Sequence, residues 1–577
     1  MEKFRVSAVL LIFIFIFSFI LSSSLTAAEL KDPWISQKPQ GKHGGTLITT
    51  LLSDPKTFNP IIAAETSSSG VVMGYIFERL VTRNGVTTEI EPELAKDWKI
   101  SEDGKTYTFY LREGVNWSDG EEFTADDVIF TFDLIKDESI PTGSRDVMII
   151  DGEFPQYKKI DKYTVEFKLP EPFAPFLNNM LAPILPKHRL YKSWQQGKFN
   201  SSWGINTDPA DIIGTGPYKM VDYKNGERIV MQANQNYWRL DPEGRSLPYI
   251  KNWVRIITGS QETESLLFEK GETHILGVRG IDYKRFKEKS EEEDFDLIDG
   301  GPTFSTNFLV FNLNPRNPKL EEEPWKLEWF SSIHFRRAVA YSFDKNTMID
   351  QALAGQGSKQ WSPISTPNKI YLNENVKKYP YNLEKAREEL QKGGFSWNDA
   401  GELIDKNGHR VEFNILTNAG NDVREALMNI ISTELRNLGM KINATPVDFN
   451  RMTSMLMSEW NFDTILIGLT GGVEPHSGSN VWLSHGHLHM WNPRQEKPAT
   501  DWEAHIDELF IKAAQTHEVE KRAEYYGEFQ EIIAEKLPVI YTVVPNAIYA
   551  VRDSLKNTEV TAYGGVTWNI YELYLEQ

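Results

Sequence analysis

Cysteine is absent from all 577 residues. That excludes disulfide scaffolds, thiolate zinc sites, iron–sulfur clusters and cysteine nucleophiles together. It also excludes the lipid-modified N-terminal Cys that tethers many exported bacterial proteins. Positive charge is scarce: 62 Lys and Arg stand against 81 Asp and Glu, for a net −19. A surface that neutralises nucleic-acid phosphates needs the opposite balance, so no nucleic-acid partner is expected. After residue 21 no apolar run is suited to crossing a bilayer. G-x-S-x-G, P-loop, H-E-x-x-H and post-strand G-x-G-x-x-G patterns are missing, as are fixed-period repeats, which lowers the hydrolase, nucleotide and zinc-protease readings.

What is present has globular composition, with 40% hydrophobic, 25% charged and 12% aromatic residues. At roughly 100–200 residues per domain, the chain allows two to four domains. Lys3 and Arg5 precede an apolar run over 6–21, and small residues end at Ala27-Ala28. This reads as a secretory signal cut near Ala28, residues 1–28 being removed. The alternative is a retained anchor, but the run is shorter than the ~20 residues a span requires.

Asp103-Gly104, Asn225-Gly226 and Asn407-Gly408 lie between alternating runs and predict three hairpins. From His409 onward the pattern changes. Strand 411–416, helix 422–438, strand 441–447, a possible helix at 449–458 and strand 463–468 predict a parallel sheet with right-handed crossovers. Val423, Ala426, Leu427, Ile430, Ile431 and Leu435 share one helical face, and Gly439 suits the helix end. Tracts 334–354 and 502–536 read as amphipathic packing helices. A hairpin-rich first half and an α/β second half suggest two lobes, and ligand sites favour such interfaces.

Chemistry-bearing residues are few. His485, His487 and His489 alternate, with His476 nearby, but the Gly-Ser-rich surroundings favour a loop over a metal site. Thr124, Asp126 and Asp127 read as helix-capping residues. Residues 468–475, GLTGGVEP, directly follow a buried strand. Glycines there either admit a ligand to the backbone or form a plain connection.

Several strings add up. They are LLSDPKTFNP at 51–60, PELAKDWKISEDGKTYTFYLREGVNWSDG at 92–120, FTADDVIFTF at 123–132, GTGPY at 214–218, NQNYW at 234–238 and FRRAVAYSFD at 335–344. In this order they resemble the family-5 extracellular solute-binding proteins, the oligopeptide- and dipeptide-binding components of bacterial ABC importers. The resemblance implies an α/β, two-lobed periplasmic-binding-protein clamp (type II-like), with an inserted α/β subdomain in the first lobe. Mapped here, the first lobe is 29–80, 204–302 and 541–577, the insertion 81–203 and the second lobe 303–540. The expected protein is periplasmic, monomeric, non-catalytic and without cofactor or metal. It hands a small-molecule ligand, a peptide first of all, to an ABC transporter membrane permease. An oligosaccharide or other non-peptide solute is the alternative, and a secreted hydrolase the remote one.

In peptide-binding members an Asp after the strand matching 462–467 binds the peptide amino terminus. Here Gly471 or Gly472 holds that place, and Glu474 is the nearest acid. The expected ligand-binding residues are Glu65, Thr66, Ser67 and Ser68 on the first lobe. On the second they are Thr417, Asn418, Thr470, Gly471, Gly472, Glu474, Asn480, Trp482, Trp491 and Asn492.

Overall fold

Asp103-Gly104, Asn225-Gly226 and Asn407-Gly408 each reverse the chain. In the computed structural model, which describes residues 33–576, Ala95–Ile100 pairs antiparallel with Thr106–Leu111 around Gly104 at φ +67°. Tyr218–Lys224 pairs with Arg228–Ala233 around Gly226 at φ +71°. Gly408, at φ +86°, turns the chain between bridged Ile404 and Arg410. Positive φ at these turns is what glycine supplies without a Cβ clash. The signal expected at 1–28 lies outside the described residues.

One body is built on two sheets. Gly44–Leu51, Ile250–Ile257, Arg228–Ala233 and Tyr218–Lys224 lie in that spatial order. Beside them, Ile275–Gly277, Val543–Arg552 and Phe295–Pro302 form a second sheet. A separate antiparallel sheet, with Ala95–Ile100, Thr106–Leu111, Thr164–Lys168 and Gln156–Asp161 in order, carries the helix Ala125–Lys136. Thr124 and Asp127 form a reciprocal capping box at that helix's start, the role their spacing suggested.

The other body is a five-stranded sheet ordered Lys441–Val447, Glu412–Asn418, Thr464–Leu469, Thr306–Phe311, Val539–Tyr541. The first three are parallel, as expected. Thr306–Phe311 runs antiparallel to Thr464–Leu469, so the sheet is mixed. This strand enters directly from the other body, with no helical crossover to impose a parallel direction. Its side chains alternate: Leu309 and Phe311 join a core with Phe413 and Leu466, while Phe308 and Val310 join a second core with Phe510 and Phe529. Asp422–Asn437 packs Leu427, Ile431 and Leu435 onto the first of these cores. Tract 502–536 is two helices, Asp501–Gln515 and Val519–Lys536.

The chain passes between bodies twice, after Pro302 and after Tyr541. The crossings bond to each other: Thr303 N–H donates to Pro545 O at 3.1 Å, and Thr542 N–H to Asn307 O at 2.9 Å. Short element-terminal segments such as these are where hinge motions are commonly absorbed.

Candidate functional site

The lobes face each other across a cleft closed by contacts from several elements. Lys56 Nζ donates to Thr453 Oγ1 at 2.5 Å, and Asn450 Nδ2 to Asp54 O at 3.3 Å. Ala174 N–H donates to Ala514 O at 2.8 Å. His487 Nδ1 lies 2.8 Å from Asp146 Oδ2, and Phe173 meets His476 edge-on at 4.9 Å. Cavities remain between these bridges, and the expected ligand residues divide between them.

The loop after strand Thr464–Leu469 lines a cavity of 290 Å³. Thr470, Gly471, Gly472, Glu474, Asn480 and Trp482 all border it, with Thr306, Ser365, Ile364 and Tyr541 opposite and Ala64 from the first lobe. Gly471 is at φ +70°, and a Cβ there would lie 1.9 Å from Phe304 O, on the crossing segment. Only glycine lets the loop rest on the hinge backbone this closely. Trp482 packs edge-on against Phe529 at 5.0 Å, which fixes its ring in the wall.

Glu474 is the single carboxylate on this cavity, and its charge is already answered. Arg522 Nη2 donates to its Oε1, as do the N–H of His476 at 3.2 Å and the Tyr526 hydroxyl at 3.4 Å. Burial pulls the Arg522 guanidinium down, but Glu474 outweighs it and holds the pKa above the usual arginine value. Burial, then the Arg522 charge, push His476 down to about 3, so it stays neutral. Glu474, the acid nearest the place of an amine-binding Asp, thus already has a cationic partner built into the lobe.

This cavity shares Ala64, Ser477, Asn480 and Leu488 with a neighbouring one of 560 Å³. The larger space is bounded by residues 60–64 of the first lobe, 141–147 and 178–183 of the insertion, and Met457, His487 and Arg494 of the second lobe.

A further cavity, of 680 Å³, holds Thr66, Ser67 and Asn418 from the expected set. Leu51–Asp54 and Ile257–Gly259 form its first-lobe wall; Asn421, Arg424, Asp448 and Asn450 face them. Arg424 and Arg522 were missed by the sequence reading. Arg424 had one available signal: a cation in a helix's first turn opposes the macrodipole.

The remaining expected residues border none of these cavities. Ser68 Oγ accepts from Lys56 N–H at 2.9 Å and donates to the Glu65 carboxylate, which ties both residues to the turn. Thr417 is fully buried and donates to Leu466 O at 2.9 Å, pinning adjacent strands. Trp491 is a core residue: it is 1% exposed and donates to Glu503 Oε1 at 3.0 Å. Asn492 is buried beside it, and neither borders the cavities above. The alternating histidines diverge. His487 faces Asp146, while His489 bonds Val481 O and Glu503. Among the described residues no three metal-capable side chains converge.

The model for bacterial extracellular solute-binding proteins, family 5 Middle, matches residues 89–488. A probable ABC transporter-binding protein of Deinococcus radiodurans is 28% identical, with 93% of both chains covered. The oligopeptide-binding protein AppA of Bacillus subtilis is 26% identical over 90% of this chain and 89% of its own. Its structure with a nonapeptide superposes with a TM-score of 0.80 at 23% identity, covering 93% of this chain and all of that one. The structure of MelB from Agrobacterium fabrum with stachyose gives 0.79 at 22% identity, covering 93% and 85%.

Proposed function

The chain belongs to the family 5 bacterial extracellular solute-binding proteins of ABC importers, and from that premise we propose that it captures a peptide-class solute between its lobes and yields it to a membrane permease. It works in the periplasm, as a monomer, and breaks no bond. The observation that carries this reading is the cleft itself: cavities bounded by both lobes, which are joined by two hydrogen-bonded crossings. A ligand touching both walls favours the closed state by the difference between its contacts in the two states. Peptide-binding relatives such as AppA support the ligand class. The joined cavities by Thr470–Trp482 and the insertion leave room for more than one residue of an extended ligand.

A specific observation favours a second reading. The 290 Å³ cavity offers no uncommitted carboxylate to a ligand ammonium, and it presents Trp482 and Tyr541 among hydroxyls and an amide. Those features suit a neutral, hydroxyl-rich ring, and MelB carries stachyose on this fold. Calorimetry with alanine tri- to pentapeptides against a panel of oligosaccharides separates the two. Small-angle scattering with the ligand so found should show a smaller radius of gyration on saturation. Unchanged scattering alongside proven binding would overturn the clamp.

A further inference from the structure

Methionine carries all the sulfur of this chain. Of its 13 methionines, Met1 lies outside the described residues and nine others are buried, while Met73, Met455 and Met457 are half-buried. Oxidation of a thioether follows its exposure, and no thiol is present to intercept an oxidant first. Two of the three half-buried methionines border one space. Met73, from the first lobe, and Met457, from the second, both line the 560 Å³ cavity of the cleft. Met455 is as open as they are, yet it packs against the second-lobe core and borders none of the three cleft cavities.

The backbone places both residues. Met73 ends the helix Thr66–Val72, and its N–H donates to Ser69 O at 3.0 Å. Met457 stands in a wide π turn, Met455–Glu459, that continues the helix Phe449–Ser454. Such turns are frequent at functional sites. The same cavity presents Ile62, Val147, Leu181 and Leu488, so the two thioethers belong to an aliphatic wall. His487, which also borders it, is already turned to Asp146. A thioether in such a wall is apolar and adaptable. Its sulfoxide is polar and chiral, and disrupts methionine-lined surfaces.

We propose that Met73 and Met457 form an oxidation switch in the cleft: as thioethers they receive apolar surface of the captured solute, and a hydroperoxide that converts them to sulfoxides turns that capture off. The proposal rests on the cleft being the solute site, and it deepens that reading by giving the ligand an apolar group and the site a chemical control. In the step, a sulfur lone pair attacks one peroxide oxygen. The S–O bond forms as the O–O bond breaks, and the proton of the transferred hydroxyl passes to the departing hydroxide, which leaves as water. Sulfur is oxidised by two electrons and the peroxide is reduced by two. The new S=O dipole then stands where the solute's apolar group has no hydrogen bond to offer it.

The direct test is peptide mapping by mass spectrometry of the purified chain during a hydrogen peroxide titration. Met73 and Met457 should each gain one oxygen roughly tenfold or more faster than the buried methionines. Equal rates overturn the site. The switch is read with N-phenyl-1-naphthylamine, a neutral apolar fluorophore. Wild type should bind it, and oxidised wild type should bind it roughly tenfold or more weakly. The double variant Met73→Leu, Met457→Leu keeps the apolar wall without its sulfur, so it should bind equally before and after peroxide. Met455→Leu should respond as wild type does. No binding by wild type, no loss on oxidation, or an equal loss in the double variant overturns the switch. Trileucine should displace the fluorophore. Failure to displace it, with the oxidation response intact, refutes the peptide reading and leaves the switch standing. Displacement that peroxide leaves unchanged refutes the switch and leaves the peptide reading standing.

Discussion

Glu474 and Arg424 both follow strands of the five-stranded sheet and both border cavities in the cleft; Glu474 is buried and Arg424 half-buried. Glu474 meets a guanidinium, a hydroxyl and a backbone N–H. Arg424 meets two amide oxygens, with no carboxylate partner among the described residues. A charge neutralised within its own lobe shapes a wall without asking anything of the ligand. A charge met only by amides stays uncompensated, and an uncompensated ion is costly to bury. The two charges thus stand differently in the cleft: one is answered inside its own lobe, the other is met by amides alone.

The largest effect belongs to the closed pair. Glu474→Gln leaves Arg522 buried without a counter-charge and should lower unfolding free energy by about 3–5 kcal/mol in urea titration. Adding Arg522→Met should recover much of that loss, since removing both charges is far milder than removing one. A single-variant loss under ~1 kcal/mol would show the pair to be solvated, and the contrast with Arg424 would collapse.

His476 gives the next test, through pH. Its folded pKa of about 3 lies below the ordinary 6.5. The unfolded chain therefore gains a proton that the folded chain refuses. Stability is unaffected above pH 6.5 and falls as pH drops from there towards 3, by about 1.4 kcal/mol per unit. At pH 5 the loss is about 2 kcal/mol. His476→Phe should flatten that part of the stability curve while keeping the ring contact with Phe173. An unchanged slope would place His476 in water and Arg522 with it.

Much of the second lobe was legible in sequence because its signals are local. The face of Val423 to Leu435, the glycine at 439 and the turn pairs each state a backbone need within a few residues. The mixed sheet was not legible, because the direction of Thr306–Phe311 is set by where the chain comes from. Site residues separated in the same way. Thr470, Gly471 and Trp482 follow a recognisable strand end and line a cavity. Trp491 has the same composition signal, yet Glu503 takes its N–H into the core. No local pattern joins Glu474 to Arg522, 48 residues on, or Arg424 to Asn307 on a crossing strand.

The smallest expected effect is on the stability of Arg424→Gln. An arginine that held the fold together would lose several kcal/mol on substitution. Among the described residues Arg424 has no ion pair to break, and its charge opposes the helix dipole by about 0.3–1 kcal/mol. Glutamine keeps an amide N–H for Asn307 or Asn418 and removes the buried charge. Urea titration should therefore show a change within ~1 kcal/mol, on the stabilising side in the absence of ligand. Gain of stability on substitution is the pattern of a residue kept at the expense of the fold. A loss of several kcal/mol would instead make Arg424 a post between Asn307 and Asn418, and the two ends of the cleft would then differ only in which residue closes each charge.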